Sequence, residues 1–234
     1  MQLPPVASIR DFYAFEQHVK TCRRHRGLDM VPQWYEIPVF YFSNHVCVVG
    51  DGDPVHAPQG CKELDYELEL ACVIGTSARD LPADDRALEC VAGFAIMNDW
   101  SARDLQRAEM AVGLGPSKSK DFATSLGPDL VPLGALREHY RDGRLHLEMT
   151  ASINGRVLSR GNAGSMFWRW PQLLAHASRD TELRPGDVLG SGTVGTGCIL
   201  ELTPQVAGGW LEPGDVVELT IERLGTLRNT VTAR

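Results

Sequence analysis

The sequence predicts a mainly β (α+β) protein in which antiparallel or mixed strands dominate and helices are few. Short β-rich runs recur along the chain, and Asn154-Gly155 marks a tight hairpin. Two Pro-Gly-Asp turns, "LRPGD" (183–187) and "LEPGD" (211–215), punctuate the C-terminal part. The regular strand and helix alternation of parallel α/β folds does not occur. With 43% hydrophobic residues, the chain fits one domain over 1–234.

The N-terminal region is predicted to begin with a helix over residues 8–26. Ser8 and Asp11 have the spacing of a capping box, and apolar side chains then recur at helical intervals. Residues 31–49 are aromatic and β-branched with two prolines, which predicts irregular chain with one or two short strands.

The rest of the chain predicts mostly short elements. A strand is expected over 65–75, a short helix over 83–91, and a second strand in "GFAIMND", which ends at Asp99. "WSARDLQRAEM" is helical or irregular, and a Gly/Ser/Pro-rich loop follows over 113–128. "MFWRWPQLLAHAS" predicts one helix with Pro171 near its first turns.

The charge balance argues for a small-molecule ligand. The chain has 23 basic and 30 acidic residues and a net charge of -7, which disfavours nucleic acid and anionic membranes as partners. It lacks a signal-peptide core and any apolar run near the roughly 18 residues of a membrane span, so a cytoplasmic protein is expected. Six cysteines without a C-x-x-C pair indicate neither a disulfide framework nor a zinc site.

The strand in "DYELELACVIG" (65–75) carries two glutamates among apolar residues. Alternate side chains of a strand share a face, so Glu67 and Glu69 point the same way, with Cα atoms about 6.7 Å apart. Partly desolvated carboxylates at this spacing repel by roughly 2 to 3 kcal/mol at an effective dielectric of about 20. A divalent cation would compensate; the alternative is an edge strand that leaves both acids in solvent.

Asp99 supplies a third carboxylate. It ends an apolar strand beside Trp100, where it can offer another hard oxygen ligand. Three carboxylates with water suit Mg²⁺ or Ca²⁺ better than zinc, because histidine and thiolate are missing from this set.

Asp11 and His18 are seven residues apart, which is two turns of a helix. On one helix they would therefore lie on the same face, separated by about 10.5 Å along the axis. The ordinary alternative for Asp11 is a capping-box partner of Ser8, and for His18 it is a partly buried histidine with no catalytic role. Lys120 lies in a flexible loop, where a solvated charge is the ordinary role, and Glu201 is an acid within the apolar strand predicted for "CILEL".

"GSGTVG" (190–195) matches the dinucleotide pattern G-x-G-x-x-G. A strand pattern, "TGCILELTP", follows where that fingerprint requires a helix. The segment is therefore predicted to be a glycine-rich turn between strands.

Five ordered segments together resemble the catalytic domain of the fumarylacetoacetate hydrolase family. They are "DFYAFEQH", "ELDYELELACVIG", "NDWSARDLQ", "KDFATSLGP" and "GSGTVGTGCILEL". The resemblance covers almost the whole chain. It implies that family's mixed β-sandwich roll with a few short helices.

The resemblance also implies a role for each matching position. The residues that would hold the divalent metal are Asp11, Glu67, Glu69, Asp99 and Thr124. The catalytic residues would be His18, which activates water, Glu201, which orients it, and Lys120 beside the metal. The substrate contacts would be Tyr13, Tyr41, Gln106 and Thr193. Met110 stands where the family has a tyrosine that contacts the substrate. Arg24 and Arg26 are candidates for binding the substrate carboxylate.

The activity implied by the resemblance is hydrolysis of a carbon-carbon bond in a 1,3-dioxo acid, fumarylacetoacetate or a related acylpyruvate. Mg²⁺ or Ca²⁺, with Mn²⁺ as a further candidate, would stabilise the enolate leaving group. The alternatives on the same fold and metal site are a 2-oxo-acid hydratase, decarboxylase or tautomerase. A third class is a non-catalytic protein that uses a Ca²⁺ cluster structurally. Finding Lys120 far from the cluster would favour that class. Family members are usually dimers, so a homodimer is expected, with residues 1–30 as a helical lid.

Overall fold

The computed structural model describes residues 1–233, and most of its strands belong to two large β-sheets that pack against each other. Within these residues the strands are β1 Ser8–Phe12, β2 Phe40–Ser43, β3 Val48–Val49, β4 Pro54–His56, β5 Leu64–Asp65, β6 Leu68–Ile74, β7 Ala78–Arg79, β8 Val91–Asp99, β9 Ser101–Ala102, β10 Thr124–Val131, β11 Tyr140–Arg141, β12 Arg144–Leu145, β13 Glu148–Ile153, β14 Arg156–Asn162, β15 Glu182–Leu183, β16 Asp187–Gly190, β17 Val216–Ile221 and β18 Gly225–Thr232.

The helices are short. The α-helices of the described residues are α1 Glu16–His25, α2 Arg103–Val112, α3 Trp170–Ser178, α4 Ile199–Leu202 and α5 Pro204–Ala207. Short 3₁₀ helices occupy Pro32–Tyr35, His45–Cys47, Asp85–Cys90, Leu133–His139 and Ala163–Ser165. None of the helices in residues 1–233 has the length and apolar character needed to cross a bilayer.

The larger sheet has seven strands in the order β2-β1-β16-β6-β8-β10-β3. It is mixed, because β1 pairs with β16 and β10 pairs with β3 in parallel while the other neighbours are antiparallel. The smaller sheet has five strands in the order β14-β13-β17-β18-β4, with only β18 and β4 parallel. This is the predicted mainly β, mixed-sheet architecture.

The larger sheet is buried on both faces. On β6, Leu68, Leu70, Cys72 and Ile74 face the main core, which side chains of the smaller sheet also fill. The alternate residues point the other way, where Ala71 and Val73 join a second apolar cluster with Ile9, Met97, Leu126, Leu130 and Val188. The apolar run of β6 therefore reflects burial on two sides, and Glu69 belongs to the second face.

Several predicted elements are confirmed. The hairpin at Asn154-Gly155 joins β13 to β14, and α3 carries Pro171 in its first turn. Residues 31–49 contain two short strands, β2 and β3, as expected. All six cysteines are free thiols.

The helix predicted over residues 8–26 is wrong in its first part. Residues 8–12 form β1, which lies between β16 and β2, and the helix begins only at Glu16. Ser8 makes no capping box with Asp11, because its hydroxyl donates to Asp187 of β16 at 2.7 Å. Sheet pairing on both sides outweighs the local helical spacing. The lid expected over residues 1–30 stays a prediction, and only α1 is helical in that range.

Candidate active site

Three buried carboxylates meet at one end of the larger sheet. Asp11 near the end of β1, Glu69 on β6 and Asp99 at the end of β8 bring one oxygen each within 4.8 Å of the others. Each of these acids lies two positions along its strand from an apolar residue of the second cluster. Residues two apart on a strand share a face, so all three carboxylates point to the same side of the sheet. We call this set the carboxylate centre.

Gly190 makes room for the carboxylate centre. It ends β16, the strand between β1 and β6, and is paired with Asp11 and Ala71. A Cβ atom at this position would lie 2.5 Å from Asp11 Oδ1 and 3.0 Å from Glu69 Oε2, so any side chain would fill the space between the carboxylates.

The oxygen atoms of the carboxylate centre fit a divalent cation. Asp11 Oδ1 and Asp99 Oδ1 are buried without a hydrogen-bond partner in the described residues. Burial and the charge of Asp99 raise the pKa of Asp11, and burial and Asp11 raise the pKa of Glu69. Three buried acids that disfavour their own charged forms, with lone pairs left free, match the all-oxygen site of a hard cation.

Glu67 has a different environment from the carboxylate centre. Its Oε1 accepts from Arg103 Nη2 at 2.7 Å and its Oε2 from Lys120 Nζ at 2.6 Å. Burial alone would raise the pKa of Glu67, but Lys120 and Arg103 outweigh it and hold the pKa well below its usual range. Glu67 is an ion-pair partner in this structure, and its role as a metal ligand stays a prediction.

Lys120 connects Glu67 to the carboxylate centre. Its ammonium donates to Glu67 and also to Asp99 Oδ2. The loop that carries it is tied to α2, where Glu109 accepts from the hydroxyls of Ser117 and Ser119. Lys120 is 4% exposed, so the alternative of a solvated loop charge is wrong. It also contacts Asp99, and a lysine remote from the carboxylates is what the structural Ca²⁺ alternative would have needed.

His18 and Glu201 form a buried pair. His18 on α1 and Glu201 on α4 are joined by a 2.8 Å hydrogen bond between Nδ1 and Oε2. Burial lowers the pKa of His18, but hydrogen bonds with Cys198 and Glu201 outweigh burial and raise it to about 10. The predicted shared helix face of Asp11 and His18 is wrong, because Asp11 lies on β1. The two residues approach the site from different elements.

The strand predicted at "CILEL" is also wrong, since Glu201 lies in the short helix α4. Asp65 explains the helix: Oδ1 accepts from the backbone N–H of Ile199 at 2.7 Å and Oδ2 from that of Leu200 at 3.0 Å. The carboxylate satisfies the free amide groups at the helix start. The glycine-rich segment does follow a strand, since β16 ends at Gly190, but the prediction of a turn between two strands is wrong, because the next element is α4.

The predicted substrate contacts surround these groups. The Tyr13 ring lies edge-on to His18 with centroids 5.4 Å apart, and the Tyr41 hydroxyl donates to Asp99 Oδ2 at 2.5 Å. Gln106 Oε1 accepts from Arg103 Nη1 at 3.0 Å, and the Thr193 hydroxyl donates to Glu69 Oε1 at 3.3 Å.

Four further positions singled out in the sequence differ in their surroundings. Thr124, predicted near the metal, begins β10 directly opposite Asp99 of β8, and its hydroxyl is 3.4 Å from that of Ser43. Arg24 and Arg26 are exposed at the end of α1, and Met110 is 41% exposed. The metal role of Thr124 and the substrate roles of Arg24 and Arg26 remain predictions.

The comparisons with known proteins agree with this geometry. The family model of the fumarylacetoacetate hydrolase C-terminal domain matches residues 7–232. The chain belongs to the fumarylacetoacetate hydrolase family. The resemblance carried by the five segments is therefore confirmed over nearly the whole chain.

Named members of the fumarylacetoacetate hydrolase family differ in activity. Mouse fumarylacetoacetase is 32% identical over 239 residues, covering 83% of this chain and 57% of the mouse protein. Oxaloacetate tautomerase of Bacillus subtilis is 34% identical over 200 residues, covering 84% and 62%. The chain thus spans about three fifths of these relatives. The crystal structure of fumarylpyruvate hydrolase from Pseudomonas aeruginosa, in complex with Mn²⁺ and pyruvate, matches with a TM-score of 0.78 at 26% identity, covering 98% of this chain and 91% of that one.

Arg103 and Asp65 were missed at the sequence level. Arg103 Nε donates to Asp65 Oδ2 at 2.8 Å, so Arg103 joins the residue that caps α4 to Glu67. A signal existed: Asp65 alternates with Glu67 and Glu69, so strand geometry places all three acids on one side. In this member of the family the buried charges form a chain from Asp65 through Arg103, Glu67 and Lys120 to Asp99.

Arg103→Met is expected to destabilise the fold by about 3 to 5 kcal/mol. The substitution leaves buried Asp65 without its arginine partner and removes one of the two cations that pair with buried Glu67. Arg107→Met, on the same helix, removes an exposed pair with Glu63 and is expected to cost about 0 to 1 kcal/mol. Urea unfolding of both variants measures the difference. Equal losses would contradict a structural role for the buried charge chain.

Proposed function

We propose that this member of the family hydrolyses a carbon-carbon bond in a 1,3-dioxo acid, fumarylacetoacetate or a related acylpyruvate. The observation that supports this proposal is the buried His18–Glu201 pair, which lies close enough to Glu67 that the charge of His18 lowers the pKa of Glu67. Tautomerisation or decarboxylation of a keto acid needs no water-activating pair, whereas hydrolysis does.

The chemistry explains the rest of the site. The departing fragment is a carbanion, which leaves only if its charge is delocalised as an enolate and stabilised by positive charge. A divalent cation bound at Asp11, Glu69 and Asp99 would act as a Lewis acid on the developing enolate. Hard carboxylate ligands suit Mg²⁺, Ca²⁺ or Mn²⁺, and Mn²⁺ occurs in the Pseudomonas aeruginosa relative.

The protein's own groups supply the proton transfers and the positioning. His18 takes the proton of the attacking water, and Glu201 holds the ring by its Nδ1 and stabilises the imidazolium that results. Asp99 and Glu67 raise the pKa of Lys120 although burial opposes them, so the ammonium keeps its charge beside the reacting oxygens. Tyr13, Tyr41, Gln106 and Thr193 are proposed to contact the substrate.

Oxaloacetate tautomerisation is the second candidate. A pKa of about 10 makes His18 an imidazolium at neutral pH in the metal-free protein, which suits a proton donor in keto-enol exchange better than a base. The Bacillus subtilis relative is named for this activity.

One assay separates the two functions. Metal-stripped protein is given Mg²⁺ or Mn²⁺ and then either fumarylacetoacetate, fumarylpyruvate or oxaloacetate, with products identified by mass. Metal-dependent release of two acids from a dioxo acid supports the hydrolase. Tautomerisation of oxaloacetate without cleavage of either dioxo acid contradicts hydrolysis and supports the second candidate.

Glu201→Gln tests the coupling within the pair through pH. Hydrolysis requires neutral His18, so kcat/KM rises with pH through the pKa of His18. Removing the Glu201 charge lowers that pKa toward its ordinary value of 6.5, so the rise is expected to move to lower pH while the maximal rate falls. The pH profile of kcat/KM measures the shift. An unshifted profile would show that Glu201 does not set the protonation of His18.

A homodimer is part of the proposal. Several large apolar side chains are exposed to solvent, and a second copy of the chain would cover them. Their exposed fractions are 65% for Phe42, 75% for Val46 and 94% for Leu114. Light scattering distinguishes a dimer from the 25.7 kDa monomer.

A further inference from the structure

The His18–Glu201 pair lies in a cluster that also contains two thiols. One donor atom each of His18, Cys198 and Glu201 lies within 4.8 Å of the others. Cys22 Sγ is 3.8 Å from His18 Nδ1, and Cys198 Sγ is 3.8 Å from Glu201 Oε2. All four side chains are at least nine-tenths buried. We call them the thiol cluster.

The hydrolytic mechanism accounts for only half of the thiol cluster. Water activation needs the imidazole and the carboxylate, but it has no use for Cys22 or Cys198. Glu201 Oε1 is also buried with no hydrogen-bond partner in residues 1–233, although Oε2 is bonded to His18. This buried carboxylate oxygen beside two thiols therefore has a lone pair available to a cation.

The spacing of three of the donors, on His18, Cys198 and Glu201, approaches that of tetrahedral zinc. Zn–N and Zn–S bonds of about 2.1 and 2.3 Å place the ligand atoms of a tetrahedral site about 3.4 to 3.8 Å apart. The 3.8 Å contact between Cys198 Sγ and Glu201 Oε2 already falls at this separation. Cys22 Sγ lies 3.8 Å from Nδ1 and 3.7 Å from Nε2 of His18, outside the set formed by the other three donors, so its side chain would have to rotate toward them to complete four ligands. His18 Nδ1 and Glu201 Oε2 are 2.8 Å apart, so they would need to separate by about 0.6 Å.

We propose that His18, Cys22, Cys198 and Glu201 form a second metal site, for Zn²⁺, whose occupation inhibits the enzyme by engaging its base. The zinc binding is independent of the proposed function, whereas the inhibition rests on it. The ion replaces the proton on Nδ1 and the two thiol protons, so three protons leave to solvent. With Nδ1 bound to zinc and Glu201 engaged, His18 no longer has the carboxylate that supports its base role.

The two metal sites differ in donor chemistry. The carboxylate centre offers only oxygen atoms, which suit hard cations such as Mg²⁺, Ca²⁺ and Mn²⁺. The thiol cluster offers nitrogen, sulfur and one carboxylate, which select zinc over those ions. Saturating Mg²⁺ therefore occupies the first site and leaves the second available.

The location of the thiol cluster explains why sequence spacing gave no zinc signal. His18 and Cys22 are one turn apart on α1, but Cys198 and Glu201 lie at the start of α4, near the other end of the chain. The helices meet only through the tertiary fold.

Cobalt is the probe that tests binding. Full-length protein with saturating Mg²⁺ is titrated with Co²⁺, because thiolate ligation gives an intense near-ultraviolet charge-transfer band that oxygen ligands do not give. The wild type is expected to show the band and to lose it when Zn²⁺ is added. Cys198→Ser is expected to abolish the band, and Cys22→Ser to weaken it. Cys90→Ser is the matched control, because Cys90 is buried and its thiol donates to Ala87 at 3.2 Å outside the cluster.

Activity then tests the inhibition separately. Zn²⁺ is expected to inhibit the Mg²⁺-loaded wild type, and Cys198→Ser is expected to raise the inhibitory concentration at least about tenfold. No charge-transfer band in the wild type overturns the site without relying on any variant. A band that survives in Cys198→Ser also overturns it. If the band appears as expected but no dioxo acid is cleaved, the zinc site stands and the proposed function fails.

Discussion

His18→Ala is expected to lower kcat/KM for dioxo-acid cleavage by about 10²- to 10⁴-fold, the usual contribution of a positioned general base. In the proposed mechanism the imidazole accepts the water proton, and Glu201, which His18 contacts at 2.8 Å and Cys198 at 3.8 Å, cannot replace it. Steady-state hydrolysis with saturating Mg²⁺ measures the effect. Circular dichroism verifies the fold, because the substitution leaves Glu201 without its partner.

His176→Ala is the control for this substitution. His176 is a half-buried histidine on α3 that packs against Phe40 with ring centroids 5.9 Å apart, outside the thiol cluster and the carboxylate centre. It is expected to keep wild-type activity. A His18→Ala enzyme that cleaves dioxo acids at a rate near wild type would contradict the base role and leave the metal centre as the main source of catalysis.

Asp11→Asn is expected to have opposite effects on stability without and with metal. In the metal-free protein, burial and the charge of Asp99 raise the pKa of Asp11, so the charged carboxylate is unfavourable. Asparagine removes that charge and can donate to Glu69, so the variant is expected to be more stable than the wild type in EDTA. With Mn²⁺ or Mg²⁺ at about 100 times Kd, the wild type gains about 2.7 kcal/mol, and the variant is expected to lose most of that gain together with metal-dependent activity.

The pH dependence of the metal-free protein has a defined sign. A carboxyl group whose pKa is raised on folding binds its proton more tightly in the folded state, so stability increases as pH falls through that raised pKa toward the ordinary value of 3.8. Asp11→Asn is expected to reduce this increase. Urea unfolding in EDTA over a pH series measures both curves.

Asp187→Asn distinguishes a repelled carboxylate from a paired one. Asp187 is buried on the neighbouring strand β16, where it accepts from Ser8 at 2.7 Å and pairs with Arg10 at 3.3 Å. Its loss is expected to destabilise the protein equally in EDTA and in metal. If Asp11→Asn behaves in the same way, Asp11 is a structural acid and the carboxylate centre does not bind the metal.

Much of the strand pattern was readable from local sequence. Asn154-Gly155 determines a hairpin by its own backbone preferences, and Pro171 marks the start of a helix in the same way. The alternation that predicts Glu67 and Glu69 on one side is equally local, because it follows from strand geometry alone, although β6 begins only at Leu68 and Glu67 precedes it. These features need no knowledge of the neighbouring chain.

Residues 8–12 and 199–202 show where local reasoning fails. The first segment has helical spacing but gains sheet pairing on both sides from β2 and β16. The second has a strand-like composition but becomes helical because Asp65 accepts from its first amide groups. In both cases the deciding partner is distant in sequence, so no window of sequence contains it.

The sequence by itself determined the family, the mainly β fold and the identity of the acids and the histidine, because these depend on residue type and short spacing. Only the tertiary structure decided how those residues divide. It placed Asp11, Glu69 and Asp99 around the space left by Gly190, paired Glu67 with Arg103 and Lys120, and brought Cys22 and Cys198 to His18. The physical reason is that charge pairing and metal ligation depend on distances of a few ångströms between side chains from different strands and helices, which chain order does not specify.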